Sequence, residues 1–259
     1  MRTLIEFDDA PVFAVPTADG TREGVLLDGP QAWGEFSPPA GADDAQAARW
    51  LTAAMEPSTV GWPDAVRGRV PVADAATRAV ITVHDVEDAV AQVRAHESAS
   101  EIVELLCRTP AEARSVRQRV DVPIAVDLPM LEADPGCADA AILRCGELGG
   151  VRRALRRFEK LGLPALVNFT GTTSVGLAAD VALAAALPEL PFACGPIPDW
   201  LSQSDIVSAS RSLVPADGFL PAAPMPAAPS REGLARFRVA DPARIDHWRA
   251  VVHRAAALI

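Results

Sequence analysis

Two rhythms of hydrophobic and polar positions divide the chain. Residues 1–36 carry short apolar runs, TLIEF, PVFAVP, GVLLDG and WGEF, broken by turn signals at Ala18-Asp19-Gly20 and Asp28-Gly29-Pro30, which predict short strands. Residues 43–56 place Ala47, Trp50, Leu51 and Ala54 on one helical face behind Asp43 or Asp44 as N-cap, with Pro57 and Pro63 closing the helix. From Arg69 the rhythm changes. Apolar runs AVITV (79–83), EIVELL (101–106), PIAVD (123–127), DAAILR (139–144), PALVNF (164–169) and PFAC (191–194) alternate with amphipathic stretches at 85–96, 110–120, 149–162 and 174–187. Strands of four to six residues separated by helices predict parallel β/α units, and five or six in series predict a barrel or most of one. Residues 221–229, PAAPMPAAP, read as an extended linker. The tail from Asp241 reads as a helix with Pro242 in its first turn and Ile245, Trp248, Val252 and Ile259 on a docking face.

Composition narrows the function classes. The 259 residues are 49% hydrophobic and 22% charged, and the net charge is −10. That argues for a folded chain and against nucleic acid or an anionic membrane as partner. The first residues, MRTLIEFDDAPVF, lack a basic, apolar leader, and no long apolar run suggests a membrane span, so a cytoplasmic protein with a small-molecule substrate is expected. Cys107, Cys137, Cys145 and Cys194 form no CxxC pair and read as free thiols. Lys160 is the single lysine, so site chemistry can hardly rest on lysine.

In a parallel barrel, polar residues at strand C-terminal ends face the active site. Glu104, Asp127 and Arg144 fit that description. The two acids could share a divalent cation, or Asp127 could cap a turn while Glu104 makes a salt bridge. His84 could serve as a general base at a strand end, or sit in a turn beside a capping Asp85. GTTSVG (171–176) could hold an anion on backbone N–H groups, or cap the helix that follows. GELGG (146–150) is a weaker version of the same signal. The sequence shows no Walker loop, GxSxG, HExxH or dinucleotide fingerprint.

Four segments in order, TREGVLLDGPQAWGEF, RVDVPIAVD, AILRCGELGG and LAAALPELPFACG, resemble the actinobacterial o-succinylbenzoate synthase (MenC-type) family of the enolase superfamily. The resemblance is loose over the first 55 residues and close over about 97–220. It implies an α+β capping domain, built from both chain ends, on a modified (β/α)7β barrel. It also implies Mg²⁺-assisted dehydration of a cyclohexadiene carboxylate in menaquinone synthesis. By that resemblance Glu104 and Asp127 match the second and third metal ligands, and Arg144 stands where the family has a lysine. The first ligand and the paired lysines of the KxK strand have no counterpart. If AVITV is the lysine strand, Val80 and Thr82 stand at the lysine positions; if it is the next strand, Ala79 stands at the first ligand. About 50 residues, roughly one β/α unit, are missing before residue 85.

The chain is therefore expected to be a shortened α/β enolase-superfamily barrel with a capping domain. Residues 1–66 would form the cap, 67–220 the barrel, and 221–259 a linker and helix packing on the cap. The site is expected to use Arg144, Asp127, Glu104 and His84 for chemistry and Asn168, Thr170, Thr172 and Gly149 for substrate. No cofactor is expected, with Mg²⁺ at most weakly held. Three functions follow: a metal-independent cyclase or lyase, an o-succinylbenzoate synthase with a rewired site, or a non-catalytic binding protein. An unclosed barrel edge would also favour a homo-oligomer.

Overall fold

A computed structural model describes residues 5–18, 20–74 and 78–259. Three antiparallel strands open the chain: β1 (Val12–Thr17), β2 (Gly20–Asp28) and β3 (Trp33–Phe36). Residues 5–7 of the expected TLIEF strand belong to no strand, while Thr3 and Leu4, and Asp19 of the expected turn, lie outside the described residues. Helix α1 (Asp44–Thr59) is capped by Asp43, whose side chain accepts from the Gln46 N–H while Gln46 reaches back. It runs through Pro57 instead of ending there. A proline so near the C-terminus removes only one helical hydrogen bond, and the Ser58 and Thr59 hydroxyls both donate to the Met55 carbonyl oxygen.

The barrel strands are β4 (Arg69–Pro71), β5 (Arg78–Thr82), β6 (Ile102–Leu106), β7 (Ile124–Asp127), β8 (Ala140–Leu143) and β9 (Ala165–Val167). Strands β5 to β9 form one parallel sheet in sequence order. Helices α2 (Val86–His96), α3 (Pro110–Arg117), α4 (Leu128–Ala133), α5 (Cys145–Leu148), α6 (Val151–Phe158) and α7 (Ser174–Ala186) connect them and cover the outer face. The stretch PFAC forms no strand of its own, yet it continues the wall. The Gly195 N–H bonds the Val167 carbonyl, and Cys194 pairs in parallel with Val72 beside β4.

On its other side β4 pairs antiparallel with β10 (Phe219–Pro221), so the start of the expected linker is a strand. The wall thus runs from β5 through β9, Cys194 and β4 to β10. Among the described residues β5 has no strand partner beyond β6. That is the shortened barrel, open where a β/α unit is missing. Val80 is consequently 51% exposed on a face that a closed barrel would bury.

Beyond β10 the chain returns to the capping layer. Helix α8 (Arg231–Phe237) sends Phe237 against Phe13, Val15 and Leu26. Helix α9 (Pro242–Ala256) packs Ile245, Trp248 and Val252 with Leu51 and Phe36. Ile259, expected on that face, lies beyond the helix and is 60% exposed. No helix among the described residues is long and apolar enough to cross a membrane.

Candidate active site at the barrel mouth

Side chains on a strand alternate between faces, and that alternation builds the site. Ile102, Ala125, Ala140, Ile142 and Leu166 fill the barrel interior with Phe192 and form an apolar floor. Glu104, Asp127, Arg144 and Asn168 each stand two residues beyond a floor residue, Ile102, Ala125, Ile142 and Leu166, and so on the same face. The structure joins these four with Arg78 into one network.

Arg144 spans both acids. Its Nη2 donates to Glu104 Oε1 at 2.6 Å, and its Nη1 donates to Asp127 Oδ1. Glu104 Oε2 accepts from Asn168 Nδ2 at 2.7 Å and faces Arg78 Nη2 at 3.6 Å. Arg78 also donates to Asn168 Oδ1 and, at 2.8 Å, to the Gly195 carbonyl oxygen across the barrel. The side chains of Arg78 and Glu104 are 5% and 3% exposed, whereas Asp127 is 39% exposed. Burial pushes the Arg78 guanidinium down from its ordinary value, and the Glu104 charge pulls it back up.

Glu104 and Asp127 also stand where the resemblance places two metal ligands. Their donor oxygens do not fit a divalent cation as arranged. Both Glu104 oxygens and one of Asp127 are taken by guanidinium or amide donors, and a guanidinium fills the space between the acids. No group of three or more His, Cys, Asp or Glu among the described residues could hold a metal ion. β5 lies directly beside the Glu104 strand, with Val80 level with Glu104. Ala79 points to the other side, into the core under the helices. An aliphatic side chain therefore stands across from Glu104, and Val80, not Ala79, is the residue to compare with a first ligand.

The other expected site residues separate. His84 is exposed in the turn before α2, where Asp85 caps the helix, and shares no hydrogen bond or ion pair with the network. Thr170 donates its N–H and hydroxyl to Asp180. Thr172 is buried, and its hydroxyl lacks a protein partner beside a small cavity of about 20 Å³ lined also by Glu35 and Asp180. Gly149, in the left-handed region at φ 82°, ends α5 and stands away from the network at the start of α6. Thr173 is the residue that caps α7, and in the same turn Glu35 accepts from the Thr173 hydroxyl and from the Gly176 N–H at 3.1 Å. The hydroxyl-rich loop thus docks the barrel on a carboxylate of the cap, a structural use of the anion-binding geometry.

Sequence reasoning missed Arg78, Glu35 and Asp180. Arg78 had one usable signal, its two-residue spacing from Val80 and Thr82 on the interior face. Burial drives the Glu35 carboxyl up and that of Asp180 up to about 6, against hydrogen bonds that pull both down. The thiols are raised by burial, Cys107 to about 11 and Cys194 to about 12, so they stay protonated and are poor nucleophiles.

Between the cap and the network lies a cleft of about 560 Å³, lined by Trp50 and Arg49 of α1 with Asp127, Met130, Arg144 and Arg157. Comparison with known proteins decides the lineage. The o-succinylbenzoate synthase of Thermobifida fusca (strain YX) is 36% identical over 259 residues, covering 77% of this chain and 81% of that protein. The protein of the same name from Mycobacterium leprae (strain TN) is 30% identical over 269 residues, covering 82% and 80%. The chain belongs to the o-succinylbenzoate synthase family. The family model for the enolase N-terminal domain-like fold matches residues 20–58, the second and third strands of the cap and most of α1. Muconate lactonizing enzyme from Pseudomonas putida superposes with a TM-score of 0.69 at 16% identity, covering 92% of this chain and 100% of that one. Muconate cycloisomerase from Pseudomonas fluorescens gives 0.67 at 16% identity, covering 91% and 98%. At that identity the likeness concerns the fold alone, an enolase-superfamily barrel with its cap.

Proposed function

We propose that this family member works without a metal ion, as a lyase or cyclase acting on a small carboxylate-bearing metabolite in the cleft between cap and barrel. The observation that carries the reading is Arg144 bridging Glu104 and Asp127. A cation's charge is replaced by a guanidinium, which cannot act as a base at neutral pH because it stays protonated. Asp127 is the network's exposed acid and the group able to take up or return a proton. Arg144 holds it in place and, with Arg49, offers positive charge to a substrate carboxylate. Glu104, sealed beneath, fixes Arg144. No amine pair remains for the family's proton transfer, since the one lysine lies on the barrel exterior after α6.

The test is turnover of cyclohexadiene and aryl carboxylates by the whole chain in EDTA and in Mg²⁺, followed by mass spectrometry. Turnover unaffected by EDTA and lost in Asp127→Asn is expected. Formation of o-succinylbenzoate that appears only with Mg²⁺ would overturn the reading in favour of a rewired synthase. The complete internal pairing of Glu104 favours a second reading, a binding protein on the barrel. It predicts carboxylate binding in the cleft that Asp127→Asn leaves intact, with no turnover.

A further inference from the structure

A second concavity lies elsewhere. A groove of about 940 Å³ runs between α1, the start of α6 and the end of α9. Arg49, Arg152, Arg153 and Arg156 line it, with Arg152 donating to the Gly61 carbonyl oxygen at 3.4 Å. Val60, Leu258 and Ile259 line it too and are 64%, 59% and 60% exposed. We infer that this groove binds a small amphipathic anion, an acid headgroup on an apolar body.

Charge carries the argument. The chain has a net charge of −10, and arginines elsewhere on its surface sit against carboxylates, as Arg157 does against Glu132 and Arg114 against Asp134. Among the described residues Arg153 and Arg156 have no ion pair. Arg49 donates only to the Glu147 carbonyl oxygen, at 2.9 Å. Arg152 lies 3.7 Å from Glu56, the one acid lining the groove. Glu56 is 8% exposed and already accepts from the Val151 N–H at 2.5 Å and the Arg152 N–H at 3.0 Å. Four guanidiniums therefore line a groove in which Glu56 is the one acidic side chain among the described residues, and its two oxygens already accept from α6.

The first turn of α6 holds no acid and two arginines, Arg152 and Arg153, which adds to the positive charge along the groove. The volume suits one small ligand, within the range of about 300–1,000 Å³ usual for such pockets. The concave shape and the acidic remainder of the molecule count against a membrane surface. The apolar wall distinguishes the occupant from a bare phosphate.

The experiment titrates the whole chain with 8-anilinonaphthalene-1-sulfonate, read by fluorescence, and then displaces the dye with monomeric dodecyl phosphate. One dye per chain is expected. Arg153→Ala with Arg156→Ala, both exposed, should weaken it at least about tenfold, the equivalent of ~1.4 kcal/mol, with an unchanged melting curve. Leu258→Ser with Ile259→Ser should weaken it as well. Equal affinity in the arginine variant, or displacement by inorganic phosphate as effective as by dodecyl phosphate, would overturn the inference. So would association with anionic vesicles but not with monomeric dodecyl phosphate.

Discussion

At the scale of single residues, the barrel mouth is an exercise in keeping buried charge paired. Removing one partner of a buried ion pair leaves the other uncompensated, and the loss is about 3–5 kcal/mol. Arg144→Met should fall near the lower end, because Asp127 is open to water and Glu104 keeps Arg78 and Asn168. Urea unfolding with an unchanged midpoint would show that the bridge contributes nothing to the fold. Asp180 gives a test with the opposite pH sense to a salt-bridged acid. Burial raises its pKa from 3.8 to about 6, so the folded state binds the proton more tightly than the unfolded chain. Its stabilising contribution is complete below about pH 4 and is lost as pH rises through about 6, a change on the order of 3 kcal/mol. The stability difference between the native chain and Asp180→Asn should therefore shrink or reverse across that window. A flat difference would contradict the buried, raised carboxyl.

At the scale of elements, most of what the sequence predicted was periodicity, and periodicity is local. Strands β6 to β8 and helices α2, α3 and α7 lie within a few residues of their expected bounds because their caps and apolar spacing are written in adjacent residues. Misses have a common cause in contacts from far away. The helix through Pro57 is held by its packing against β3, where Gly34 permits the approach. A Cβ on Gly34 would lie 1.9 Å from the Ala54 carbonyl oxygen. Gly34→Ala should force the two elements apart and cost at least about 1–3 kcal/mol, the usual range for overpacking. A thermal melt matching the native protein would show that this contact is loose. Pro221, expected to open the linker, ends a strand instead because β4 offered an unpaired edge, a feature invisible at residues 219–221 alone.

At the scale of the whole molecule, β5 is an edge of the parallel sheet among the described residues, with Val80 level with Glu104, where a closed barrel would set a further strand. A ligand that binds only the folded state raises the melting temperature by mass action. Because the acids are occupied by guanidiniums, about 10 mM Mg²⁺ should leave the midpoint within about 1 °C of that in EDTA. A clear rise, abolished in Glu104→Gln, would mean that the cation displaces Arg144.

The sequence by itself determined the lineage, the alternation of strands and helices, the presence of a single lysine, Lys160, and the candidacy of Glu104, Asp127 and Arg144. These follow from residue identity and short spacing. Only the tertiary structure decided which side chains meet. It brought Arg78 of the neighbouring strand and Asn168 to Glu104, left His84 outside, and spent the threonine loop on Glu35 of the cap. It also brought Arg49 of α1 to the groove that the three arginines of α6 line. The physical reason is that charge pairing and desolvation depend on distances through space, and closing a sheet sets side by side residues that lie 64 or 138 positions apart along the chain.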